Sequence, residues 1–96
     1  MSRGRRIMQI REVPVTNPHG LHARACARIV ALASHFRANV CLVVAGRRAS
    51  ARSIVAVMML AAAVGSTVRL EVDGPDEQAA MTALVQLFDQ GLEQRA

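Results

Sequence analysis

The sequence predicts an α+β domain in the order β-α-β-β-α-β-α, with one mostly antiparallel four-stranded sheet and three helices on one face. Three observations point there. At 96 residues and 10.3 kDa the chain is long enough for one core and too short for two. Apolar residues make up 52%, and only two are aromatic, Phe36 and Phe88, so that core is aliphatic. Short β-branched or alternating segments are interleaved with segments of helical spacing, with turn residues between them.

Each element follows from its residues. Residues 1–7 form an Arg/Gly/Ser lead with nothing to bury and are expected to be flexible; 8–96 form the single domain. From about Met8 to Val15 a strand sets Val13 and Val15 on one face, and Pro14 between them demands an edge or a strand end. Thr16-Asn17-Pro18-His19-Gly20 is turn chemistry. From His22 to about His35 there is no Gly or Pro, and Cys26, Ile29, Val30, Ala33 and Phe36 recur at helical spacing. Val40 to Val44 is a β-branched strand, turned at Gly46-Arg47 into a short partner at Arg48 to Ala51.

Ser53 then caps a second helix, expected to run to about Ala63 and to end at Gly65. Thr67 to Asp73 alternates, with Val68, Leu70 and Val72 inward and Arg69 and Glu71 outward. After Gly74-Pro75, Asp76 and Glu77 open a last helix with acids at the positive end of its dipole. Its buried stripe is Met81, Leu84, Val85, Phe88 and Leu92.

Composition excludes several function classes. Twelve cations against seven acids give a net charge of +5, and every cation is Arg. Such a balance raises nucleic acid first, making a small basic nucleic-acid-binding domain the alternative reading. Yet the arginines are spread from Arg3 to Arg95, cluster only in the lead, and lack the aromatic platforms that stack bases. Cys26 and Cys41 form neither a CxxC nor a metal spacing and suit a reducing, cytoplasmic setting. The longest apolar run, Ile54 to Val64, is about half of a bilayer span, and no signal-peptide pattern follows the N-terminus. No carboxylate pair, triad or metal cluster marks a stand-alone enzyme, and no cofactor or metal is expected.

The chemistry concentrates in Asn17-Pro18-His19-Gly20-Leu21-His22-Ala23-Arg24. The turn delivers His22 to the start of a helix, where Ser, Thr, Asp or Asn would cap better. Departures from local preference tend to mark functional sites. The first helical N–H groups are unpaired there and the dipole is positive, so an anion such as phosphate is favoured. An uncharged imidazole adds a nucleophilic nitrogen, and Arg24 adds a guanidinium fork. These are the parts needed to pass a phosphoryl group through histidine. Taken from spacing alone, His22 as an ordinary exposed histidine and Arg24 as a solvated cation explain the same residues. His19 and His35 are weaker candidates: two histidines without carboxylates make a poor metal site, and His35 at a helix end needs no function. Cys26, in the apolar stripe, reads as a small buried hydrophobe.

The segments GLHARACARIV, RSIVAVMMLAAAVG and VDGPDEQAAMTALVQLF together resemble the HPr family of phosphocarriers in the bacterial phosphotransferase system. The likeness runs in register from about residue 8 to residue 91. It implies an open-faced β-sandwich in the element order already derived. It further implies that His22 accepts phosphate from phosphoenolpyruvate through enzyme I and passes it to a IIA-type domain, with Arg24 supporting. Enzyme I and IIA domains are then the expected partners of a cytoplasmic monomer that acts as a transferase component.

The resemblance also implies a kinase acting on Ser53, although capping alone explains a serine there. Ile54, Val55 and Met58, with Ala27 on the first helix, are the expected partner-binding surface. Met59 is expected in the core. The chain departs from many family members in having Ala25 where a proline follows the arginine, which adds an N–H to the first turn. The GLHARA start and the MMLAA run are more similar to the proteobacterial branch, nitrogen-related carriers included, than to sugar-dedicated carriers.

Overall fold

A computed structural model describes residues 8–93, so the lead expected over residues 1–7 lies outside the described residues. Seven elements follow in order: β1 (Gln9–Pro14), α1 (Ala23–Ala33), β2 (Asn39–Val44), β3 (Arg47–Ser50), α2 (Ile54–Met58), β4 (Thr67–Asp73) and α3 (Glu77–Asp89). The sheet order is β1-β4-β2-β3, with every neighbouring pair antiparallel. Pro14, which lacks an N–H, accordingly lies on an edge strand, opposite Thr67. β2 and β3 are joined by Ala45 and Gly46, both at positive φ (50° and 80°), the two-residue geometry that suits the twist of a hairpin.

Alternation along the strands divides the sheet into two faces. Val13, Val40, Leu42, Val44, Val68, Leu70 and Val72 are buried in one aliphatic cluster with Ile29, Val57, Leu84 and Phe88 of the helices. The opposite face carries Glu12, Cys41, Arg48, Arg69 and Glu71, arranged by register around β4. Glu71 points outward as expected, yet it is only 8% exposed. Arg48 reaches its carboxylate at 2.8 Å and Arg69 at 3.1 Å, so the acid is covered by guanidinium rather than by core.

The second helix is shorter than expected. It ends at Met58 instead of about Ala63. The carbonyls that a continuing helix would use have partners elsewhere: Arg47 donates to those of Met59 (2.7 Å) and Leu60 (3.2 Å). Leu21 N–H takes the Ala62 carbonyl at 2.9 Å, and Ala61 turns to φ 51°. Tertiary hydrogen bonds therefore override the helix preference of the Leu60–Ala63 stretch. Met59 also departs from expectation. As the residue ending α2 it is 71% exposed rather than buried.

Candidate functional site at the start of helix α1

The turn before α1 is built from its own backbone and from a distant segment. Gly20 N–H donates to the Asn17 carbonyl at 3.1 Å, and Asn17 Nδ2 donates back to the Gly20 carbonyl. Gly20 has φ 64°, and a Cβ there would lie 2.5 Å from the Ala62 carbonyl oxygen, so glycine is required on two counts. The Leu21–Ala62 hydrogen bond then fixes the chain that leads into His22.

His22 is the N-cap of α1, with extended backbone (φ −81°, ψ 179°). Its Nδ1 accepts the Ala25 N–H at 3.2 Å. The imidazole thus does what Ser or Asp does at other helix starts, and its Nδ1 edge faces the helix N-terminus. The ring is half-buried, and the backbone of Ala25 beneath it is buried.

A cleft of about 250 Å³ opens beside the ring, lined by Asn17, His19, His22, Arg24 and Arg28 and, from the segment after α3, by Gly91, Leu92 and Glu93. Arg24 is exposed on its wall, and among the described residues nothing holds its guanidinium. The cleft therefore joins a nucleophilic nitrogen, helix-end N–H groups and a guanidinium placed to grip an anion.

Sequence reasoning missed Arg28 and gave no role to two lining residues of the turn, Asn17 and His19. Arg28 sits one turn after Arg24 and donates from Nη1 to the Leu92 carbonyl at 3.0 Å, tying the segment after α3 to the site. Asn17 is buried, and its Oδ1 has no hydrogen-bond partner among the described residues. The exposed His19 ring lies 5.7 Å from that of His22, centroid to centroid, at 51°. Helical spacing could have flagged Arg28, four residues after Arg24; the turn motif marks the other two without showing that they line the cleft.

The remaining candidates fall elsewhere. Cys26 is buried, donates its S–H to the Leu21 carbonyl at 3.4 Å, and has its thiol pushed up by burial, so it is no nucleophile. His35 lies outside this cleft, in a separate groove between α1 and α3. Ser53 caps α2, its Oγ accepting the Ala56 N–H at 3.1 Å. Ile54, Val55 and Met58 are exposed on α2, next to exposed Met59, while Ala27 on α1 is half-buried. Helices α1 and α2 pack together, so this apolar surface and His22 belong to one layer of the molecule. Among the described residues no group of three or more His, Cys, Asp or Glu could hold a metal, and no helix is long and apolar enough to cross a membrane.

Fold and site together define a small open-faced α+β domain that presents a histidine over a helix N-terminus beside an exposed arginine. Residues 10–90 match the family model for the HPr component phosphorylation site of the phosphotransferase system. The chain belongs to the HPr family of phosphocarrier proteins. It is 53% identical over 78 residues to the phosphocarrier protein HPr of Cupriavidus necator, covering 81% of this chain and 88% of that protein. The phosphocarrier protein NPr of Shewanella violacea is 39% identical over 79 residues, covering 82% and 87%. In structure the chain resembles HPr from Thermoanaerobacter tengcongensis, with a TM-score of 0.85 at 31% identity, covering 92% of this chain and 99% of that one.

Proposed function

We propose that His22 carries the phosphoryl group, accepting it from the phosphohistidine of enzyme I and surrendering it to a histidine of a IIA-type domain. The observation that carries this reading is the seat of His22: its Nδ1 edge faces the first N–H groups of α1, next to Arg24. The Nδ1 lone pair forms the new N–P bond while the old bond breaks, and that electron pair returns to the donor imidazole. The phosphoryl oxygens then lie over the helix N-terminus, where N–H groups and dipole offset their charge. Arg24 supplies a charge-assisted fork to the same oxygens. Positioning and electrostatics are most of what such a transfer requires, and partners supply the rest of each site.

Exposed Ile54, Val55 and Met58, with Ala27 at their edge, form the docking surface in this reading. Flexible apolar side chains of this kind can suit several partners in turn. A phosphoryl group on Ser53 would adjoin that surface and act through its charge on docking. Loss of enzyme I binding in Ser53→Asp would support such regulation by a kinase, and unchanged transfer kinetics would remove it. The carrier works as a cytoplasmic monomer, without a cofactor of its own.

The deciding experiment incubates the protein with enzyme I and labelled phosphoenolpyruvate. Acid-labile label is expected on the wild type and not on His22→Ala. Label persisting in His22→Ala would sink the assignment.

A further inference from the structure

We infer that the backbone N–H of Ala25 is a positioning donor with two acceptors in turn: His22 Nδ1 in the unloaded protein, and a phosphoryl oxygen in the loaded one. The inference rests on the phosphocarrier reading of His22. In the structure Ala25 N–H reaches Nδ1 at 3.2 Å, a contact three residues along the chain from an N-cap whose backbone is already extended. Ala25 is only 1% exposed, so water cannot readily replace that acceptor.

Two consequences follow from hydrogen-bond chemistry. A neutral imidazole has one nitrogen that donates and one that accepts. With Nδ1 accepting from Ala25, the ring proton resides on Nε2, and the lone pair is held on the nitrogen that faces the helix N-terminus. No proton then has to leave Nδ1 before it can attack phosphorus. When the N–P bond forms, Nδ1 no longer accepts, and the Ala25 N–H is freed beside a phosphoryl oxygen. No proton moves in this exchange; one neutral hydrogen bond is replaced by a charge-assisted one, which is about twice as strong. The exchange therefore favours the loaded state, and it is set by backbone rather than by any side chain.

Removing this N–H without removing the site tests the inference. Ala25→Pro deletes the donor in the first helical turn, where proline is tolerated best, and Ala25→Gly retains it. An amide-to-ester replacement at residue 25 serves as a second deletion should the proline variant fail to fold. NMR of the unloaded, nitrogen-labelled protein in alkaline buffer reads which ring nitrogen of His22 carries the proton. Wild type and Ala25→Gly are expected to show the Nε2–H form. In Ala25→Pro or the ester the tautomer ratio is expected to move toward Nδ1–H by about two- to tenfold, the worth of one neutral hydrogen bond. With enzyme I and phosphoenolpyruvate, the donor-deleted protein should hold about fivefold less phosphoryl group at equilibrium against wild type.

An Nδ1–H wild-type ring, or a tautomer ratio indifferent to loss of the donor, overturns the inference even if His22 is phosphorylated. Absence of label on His22 overturns the phosphocarrier reading instead, and the tautomer measurement would still stand on its own.

Discussion

The N-termini of α1 and α2 are built alike. His22 and Ser53 both hold extended backbone, and each accepts the N–H of the residue three positions on, at 3.2 and 3.1 Å. Their surroundings differ. The His22 helix has eleven residues and opens onto a cleft with Arg24 and Arg28; the Ser53 helix has five and adjoins exposed Ile54 and Val55. A hydroxyl at a helix start is fully accounted for by the cap it makes. An imidazole is a poorer cap, so capping accounts for it less well than for the serine. Equal geometry with unequal fitness for capping is what separates a site from a helix end.

Exchanging the two caps would break that comparison most sharply. His22→Asn should abolish phosphoryl acceptance in the labelling assay while raising unfolding free energy by about 0.5–1 kcal/mol, since a better cap replaces a worse one. Ser53→His, conversely, should cost about 1 kcal/mol and acquire no label at the new imidazole. Label on the second cap of the Ser53→His variant, or a loss of stability in His22→Asn, would show that surroundings matter less than argued. Arg24→Ala comes next, with transfer slowed about 10- to 100-fold for a lost charge-assisted contact and a melting curve nearly unchanged; equal rates would make Arg24 a bystander.

Gly20→Ala tests the shared scaffold. The added Cβ meets the Ala62 carbonyl at a positive φ, so a loss of about 1–3 kcal/mol in denaturant unfolding is expected, with transfer impaired as well. Val55→Asp lies at the small end for stability, within about 0.5 kcal/mol of wild type, but should weaken enzyme I binding in a titration.

The start of α3 supplies a third cap for contrast. Asp76 makes no cap bond to its own helix, and its carboxylate accepts instead from Arg37 N–H (2.9 Å) and Ala38 N–H (2.8 Å). The Arg37 N–H, foremost, holds this carboxyl below its ordinary 3.8. Because the folded value is the lower one, the contribution is complete above pH 3.8 and disappears as pH falls through the folded value. Melting curves across acid pH should show Asp76→Asn less stable than wild type at neutrality and the gap closing below that point.

Much of the fold was legible because local and global preferences agree: the alternation of Val68, Leu70 and Val72, the helical spacing of Cys26 and Ile29, and Pro14 at an edge. His22 and Arg24 were legible because both lie within one turn of a helix start. What stayed hidden depends on residues far apart in sequence. Arg47 gripping the end of α2, Arg28 holding the Leu92 carbonyl and the two guanidiniums over Glu71 are all invisible to local patterns. Among these contacts Arg47 spans two acceptors, the Met59 and Leu60 carbonyls, where a lysine would offer one point charge. Met59 and the short α2 depart from expectation because apolar alanine-rich sequence favours a helix that tertiary hydrogen bonds here prevent.

The stitching of the His22 turn to the segment after α2 has a consequence for how the protein comes into being. Val15 exchanges hydrogen bonds with Gly65 and Ser66, and Leu21 bonds Ala62, joining opposite halves of the chain. Closing so long a loop is slow and gains nothing until both ends have met. The seat of His22 is therefore complete only once these two distant segments have met. A chain that has not yet joined these two segments has the histidine but not the backbone hydrogen bond that fixes the turn before it.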